Sequence, residues 1–266
     1  MSSTDRLLAR LAAEDAILVT VHASRGSVPR EKGAWMAVFS QGAEGTVGGG
    51  HLEFAAMAEA RHRLSGAQGA PVLHYALGPA LGQCCGGEVH LLLEPVTAAD
   101  IDTLQVRLAV RPYPVALFGG GHVGHALVRV LTHLPLQVSW IDSRDEIFPA
   151  DLPVNVRCEH SDPVHAAVAQ LAPGSRVLIM SFSHAEDLDV VADCLTRQRL
   201  QADLPYVGLI GSQTKWATFR HRLEARGFTP QELAHITCPI GVPGIIGKEP
   251  EVIAVAVAAQ LLQTCR

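Results

Sequence analysis

The stretch VALFGGGHVGHAL, residues 115–127, decides the fold. Four apolar residues read as a strand and run directly into Gly119-x-Gly121-x-x-Gly124. From His122 onward the apolar spacing becomes helical. Strand, glycine turn and helix in this order form the dinucleotide-binding fingerprint in its required context. The glycines permit a tight turn and close backbone approach, and the helix N-terminus offers free N–H groups to a phosphate. Asp142 ends the next strand, eighteen residues after Gly124 (142 − 124). Its carboxylate is placed to accept from a ribose hydroxyl. His122 and His125 are bulky for a standard pyrophosphate loop. Because a fold does not fix a function, the turn also suits a Rossmann frame whose site is empty or repurposed.

The pattern continues downstream. QVSWID (137–142), VNVRC (154–158), RVLIM (176–180) and YVGLIG (206–211) are short apolar strands. Helical spacing fills 122–134, 163–172, 186–199 and 213–226, and a last helix covers 247–263 with Pro250 in its first turn. Strands alternating with helices predict a Rossmann-like, doubly wound parallel sheet. Upstream the pattern differs. A short helix is expected over 4–13, strands over 16–23, 35–40, 72–77 and 88–96, and a helix from His51, with QGAEG (41–45) as a turn. The fold class is therefore α/β, with a C-terminal Rossmann-like domain at 114–266 and a smaller N-terminal α+β domain at 1–97. Residues 98–113 read as a helical connector ending at the Pro112–Pro114 break.

Composition narrows the function. The chain has 266 residues, 48% hydrophobic and 18% charged, enough to bury a full core. Its net charge of −5 gives no basic field to collect phosphate backbones, so nucleic acid is not an expected partner. The N-terminus lacks the pattern of a signal peptide. The apolar run VIAVAVAAQLL (252–262) is too short to span a bilayer, so no membrane is expected and a cytoplasmic protein is. None of the six cysteines shows C-x-x-C spacing, which argues against a structural zinc site. Cys158 and Cys194 lie in apolar-periodic segments and read as small buried hydrophobes.

Two further glycine-rich turns bear on chemistry. Gly48-Gly49-Gly50 precedes a helix opening at His51 and forms a nest of N–H groups suited to an anion. His51 caps, packs or contacts ligand, and Glu53 reads as a helix-dipole or capping carboxylate. Arg25, Arg30 and Lys32 sit on the loop SRGSVPREKG (24–33), placed beside this nest either as anion contacts or as a solvated loop. The third turn, LGQCCGGEVHLLLEP (81–95), holds Cys84 and Cys85 in a glycine frame. Such thiols either occupy a tight turn as small residues or, as thiolates, act as soft ligands or sulfur carriers. Lys215, Arg220, His184 and Asp187 either line a site at the strand ends or decorate helices.

These segments together resemble the XdhC/CoxI accessory proteins of molybdenum hydroxylases. The carrying motifs are GSVPREKGAWMAV, GTVGGGHLE, LGQCCGGEVHLLLE, VALFGGGHVGHAL, YVGLIGSQTKWATF and CPIGVPGIIGKEPEVIAVAVAAQLL, in order over nearly the whole chain. The GGGHLE and QCCGG forms are most similar to the xanthine dehydrogenase branch. In the other branch a Cys commonly follows the glycine run, where His51 stands here. The resemblance implies a two-domain cytoplasmic chaperone and not an enzyme. It would bind molybdenum cofactor (molybdopterin), protect it while a cysteine desulfurase supplies the sulfido ligand, and deliver it to xanthine dehydrogenase. The cofactor-holding, molybdenum-contacting cysteine would map to Cys84 or Cys85. Gly48, Gly49, Gly50 and His51 would suit the cofactor's phosphate, with Gly119, Gly121, Gly124 and Asp142 as a second site or a nucleotide site. A homodimer is a further expectation. Two other readings stand: an NAD(P)-dependent oxidoreductase, which leaves the first hundred residues unused, and a nucleotide-sensing module without catalysis.

Overall fold

The computed structural model describes residues 3–77, 86–109 and 112–265. The chain divides into two compact units, Met1–Ala109 and Val110–Arg266.

The first unit is built on an antiparallel sheet. Its strands are β1 (Ala16–Arg25), β2 (Trp35–Val38), β3 (Ala43–Gly45), β4 (Val72–Ala76) and β5 (Glu88–Val96), in the order β3-β2-β1-β5-β4. The short β3 falls where the sequence reads as a turn. Strand alternation separates two faces. On one, Ile17, Val19, Val21, Met36, Val89 and Leu91 pack with Leu52, Ala56 and Ala60 of helix α2 (Gly50–Leu64). On the other, Leu18, Ala37, Phe39 and Val96 pack with Leu7 and Leu11 of α1 (Ser3–Leu11) and with Leu104 of α3 (Ile101–Arg107). The segment expected as a connector thus contributes to the core of the first unit. Each such fully buried leucine side chain contributes roughly 1.5–3 kcal/mol.

The second unit is an α/β sandwich around a parallel sheet. Its strands are β6 (Tyr113–Phe118), β7 (Leu136–Asp142), β8 (Val156–His160), β9 (Arg176–Ile179), β10 (Tyr206–Leu209) and β11 (Ile236–Thr237), in the order β11-β10-β9-β6-β7-β8. The chain moves outward from β6 to β8, then returns to lay β9 on the other side of β6. That reversal is the topological switch point of a doubly wound sheet. Helices α4 (His122–Leu131) and α8 (Pro250–Gln263) cover one face through Leu127, Leu131, Val257 and Leu261. Helices α5 (His184–Gln201), α6 (Gln213–Ala225) and α7 (Pro230–Leu233) cover the other through Leu188, Val191, Phe219, Leu223 and Leu233. With both faces covered, every residue of β9 and β10 is buried. The expected helix at 163–172 is a 3-10 helix over Val164–Gln170. Among the described residues no helix is long and apolar enough to cross a membrane.

Candidate functional site

The carboxyl ends of the parallel strands present the Rossmann turn. Gly119 has φ 123°, and a Cβ there would lie 2.0 Å from the Met180 carbonyl oxygen at the end of β9. A Cβ on Gly124 would lie 2.2 Å from the Gly119 carbonyl oxygen, so α4 can close on β6 only with glycine there. Among the described residues, nothing lies within 4 Å of where a Cβ on Gly121 would sit. It is the exposed N-cap of α4 and carries no side-chain cap. First glycine for the turn, second for open approach, third for helix packing: these are the roles the fingerprint requires.

The acid of the fingerprint is differently employed. The buried Asp142 carboxylate accepts from Gly120 N–H at 2.6 Å, and from Arg144 N–H at 2.9 Å, Nε at 2.8 Å and Nη2 at 2.9 Å. Burial alone would raise this carboxyl; the hydrogen bonds from Arg144 and Gly120 outweigh that and hold it below the usual carboxylate range. Trp140 Nε1 donates to the Gly119 carbonyl at 2.9 Å, and His125 sits edge-on to the Trp140 ring, so His125 packs beneath the turn. A Cβ on Gly120 would meet Ile147 Cγ1 at 2.6 Å. Residues 142–147 therefore fold back on the turn, and Asp142 spends its acceptors on its own chain.

A second lock joins neighbouring strand ends. Asp187 Oδ1 accepts from Ser181 N–H at 2.8 Å and Oγ at 2.6 Å, and Lys215 Nζ donates to Asp187 Oδ2 at 2.6 Å and to the Ile210 carbonyl at 2.8 Å. Glu186 bridges the loops after β7 and β9, accepting from Ser143 Oγ at 2.7 Å and Phe182 N–H at 3.1 Å. The Arg144 guanidinium stacks 4.6 Å from the centre of the Phe182 ring. Arg144 and the Asp187–Lys215 pair escaped the sequence reading. The first carries a local signal, an arginine two residues after the strand-end acid. The second joins residues 28 positions apart, which no spacing rule connects.

The second candidate end lies in the first unit. Gly48, Gly49 and Gly50 have φ of 132°, 78° and 64°, three successive values that favour glycine. They lead into α2, whose N-cap Gly49 has no side-chain cap. A Cβ on Gly48 would lie 2.4 Å from Pro29 Cγ, so the loop of residues 24–33 runs against the nest. The same loop meets the double-cysteine segment where the described chain resumes. A Cβ on Gly87 would lie 2.3 Å from the Ser27 carbonyl oxygen and 2.7 Å from that of Arg25. Two motif segments, far apart in sequence, thus converge on one loop. Arg25, Arg30, Lys32, Gly50 and His51 are exposed around it. Two carboxylates temper this cationic face: exposed Glu31, and Glu53, whose Oε2 accepts from Thr46 Oγ at 3.3 Å while that hydroxyl accepts from Gly48 N–H at 3.1 Å.

Cys84 and Cys85 lie outside the described residues. Burial raises the thiols of Cys158 and Cys194 above the ordinary range. Burial also pushes Cys238 up to about 11, with Asp187 adding to the rise and Lys215 opposing it. These three remain thiols at neutral pH and are poor nucleophiles or metal ligands. Cys158 and Cys194 sit in or against the core, as their apolar surroundings predict.

Comparison with known proteins follows the same division. The model of the XdhC Rossmann domain matches residues 115–261, and that of the XdhC and CoxI family matches residues 9–76. The chain is 27% identical over 250 residues to the uncharacterised protein YqeB of Escherichia coli. That match takes in 90% of this chain but spans only 42% of the length of YqeB. The crystal structure of a xanthine dehydrogenase from Bacillus halodurans shares the fold with a TM-score of 0.80 at 21% identity, covering 100% of this chain and 96% of that one.

Proposed function

The chain belongs to the XdhC family, and on that premise we propose that it is a xanthine dehydrogenase accessory protein that carries molybdenum cofactor rather than a catalyst. The observation that carries this reading is the convergence in the first unit. The loop of residues 24–33 is packed between the Gly48–Gly50 nest and the Gly86–Gly87 end of the double-cysteine segment. Molybdopterin carries a phosphate beside a sulfur-bound metal. The nest, with Arg30 and Lys32 exposed nearby, suits the phosphate. A thiolate from Cys84 or Cys85 suits the metal or an incoming sulfur atom. A carrier must also release its cargo, and an exposed face built on loops serves release better than a closed cage. Cytoplasmic location, a cysteine desulfurase as sulfur source, and a homodimer complete the proposal.

The oxidoreductase reading loses support at Asp142. A dinucleotide enzyme uses that carboxylate on the ribose, whereas here Arg144 and Gly120 take its acceptors. Any anion at the second unit would meet the exposed α4 N-terminus at Gly121, which suits a single phosphate. The test is the molybdenum and pterin content of protein purified from a molybdenum-replete host. Reconstitution of apo-xanthine dehydrogenase with desulfurase and cofactor then reads delivery. Bound pterin and activation support the carrier. NADH oxidation at enzyme-like rates with simple carbonyl substrates would replace it.

A further inference from the structure

The hairpin that leads into and out of the double-cysteine segment carries a second constellation, independent of the cofactor reading. His74 on β4 and His90 on β5 are direct cross-strand partners, so their side chains rise from the same face of the sheet. Glu88 lies two residues before His90 and shares that face. The neighbours Val89 and Leu91 alternate to the opposite face and pack into the core with α2. The face that holds His74, Glu88 and His90 is covered by α1 and α3 at its Val96 end. At the other end, among the described residues, His74 and Glu88 are exposed and His90 is half-buried, so their donor atoms are open to solvent ions.

Their donor atoms are close. His74 Nε2 stands 3.7 Å from Glu88 Oε2. The three groups offer one ligand atom each within 4.8 Å of one another. The two imidazoles lie 4.8 Å apart between centroids and are tilted by 45°, so they converge without stacking face to face. Zinc bonds of about 2.0–2.1 Å at tetrahedral angles put ligand atoms about 3.3–3.5 Å apart. Small rotations of exposed side chains close that difference. Arg25, the cross-strand partner of Glu88 on β1, adds a cation to the surroundings but no donor.

We propose that His74, Glu88 and His90 form a divalent metal site of the zinc class. Two neutral nitrogen donors and one carboxylate match zinc and its neighbours in the transition series and disfavour magnesium, which prefers oxygen. Three protein ligands leave a fourth position for water or an exchangeable ligand, the arrangement of an open rather than a structural zinc centre.

The experiment is calorimetric titration of the chelator-stripped full chain with zinc chloride, and with magnesium chloride as control. It is performed on the wild type and in the Cys84→Ala/Cys85→Ala background, so that thiol binding is separated from imidazole binding. The expected result is one zinc per chain in both backgrounds and no magnesium. His74→Ala and His90→Ala each weaken zinc by at least about tenfold, since losing even an outer-shell partner costs 10–100-fold. His221→Ala, on the exposed side of α6, leaves it unchanged. X-ray absorption of the zinc-loaded protein shows imidazole scattering that falls in the His90→Ala variant. Circular dichroism of the variants matches the wild type, because the residues are not core. Absence of stoichiometric zinc, zinc lost on removing the cysteines alone, or zinc unaffected by the double variant His74→Ala/His90→Ala would overturn the site. None of these readouts depends on pterin.

Discussion

Two glycine turns, one in each unit, invite comparison. Gly119–Gly124 carries the familiar fingerprint, yet the surrounding chain consumes most of it. Met180 presses on Gly119, Ile147 covers Gly120, and Asp142 is spent on Gly120 and Arg144. Gly48–Gly50 matches no general fingerprint, yet it has three successive positive φ values and opens at Gly50 and His51 beside exposed cations. The lesson is that a fingerprint can be kept for the fold, with its polar groups spent on the surrounding chain. Electrostatics points the same way. In the second unit buried Asp142, Asp187 and Arg197 are ion-paired internally, and buried Arg176 donates to the Gly174 and Thr264 carbonyls, as buried charges require. The charges around the first unit's nest face water, where they are free to meet a ligand.

Gly119→Ala should give the largest effect. It needs both an unfavourable φ and displacement of a backbone carbonyl 2.0 Å away. We expect a loss above about 3 kcal/mol in denaturant unfolding, beyond the ordinary range for one substitution. A small loss would mean the turn is not the rigid element described.

Asp142→Ala should cost roughly 2–3 kcal/mol, the cost of leaving a buried Gly120 N–H and Arg144 unsatisfied. The folded-state carboxyl is held below its unfolded value of about 3.9. Its contribution is therefore fully present above about pH 4 and is lost as pH falls through the lower folded value. Wild type and variant should converge in stability only in that acid range. A gap that persists unchanged through it would mean that the charge is not what stabilises the turn.

Glu53→Gln should sharpen the contrast from the other side. Removing a carboxylate near the nest should tighten binding of a phosphate-bearing ligand by about two- to fivefold, the range of a helix-terminal charge of 0.3–1 kcal/mol. Equal binding would place the anion elsewhere. Gly121→Ala should shift stability least, by under about 1 kcal/mol, because its space is open and its φ of −75° suits any residue.

Much of this was legible in sequence wherever local rules act. The switch from alternation to strand–helix repetition, the glycine roles at 119, 121 and 124, and the start of α2 at the end of the Gly48–Gly50 run all follow from short-range chemistry. The sequence reading missed β3, β11 and α7, which are each a few residues long and exist because neighbouring strands and the Thr229–Glu232 capping box stabilise them. It placed Asp142 at the strand end but could not show that Arg144 would claim it. It put the loop of residues 24–33 beside the nest, but the meeting with Gly87 depends on the β1–β5 pairing across more than sixty positions. The Asp187–Lys215 lock and the His74–His90 pairing are likewise tertiary facts.

The most direct test of the central claim is the pterin and molybdenum content of the wild type against Cys84→Ala/Cys85→Ala, both purified from a molybdenum-replete host. The account predicts cofactor in the wild type and its loss in the double variant, with unfolding midpoints that agree. Equal cofactor in both proteins, or none in the wild type, would contradict it.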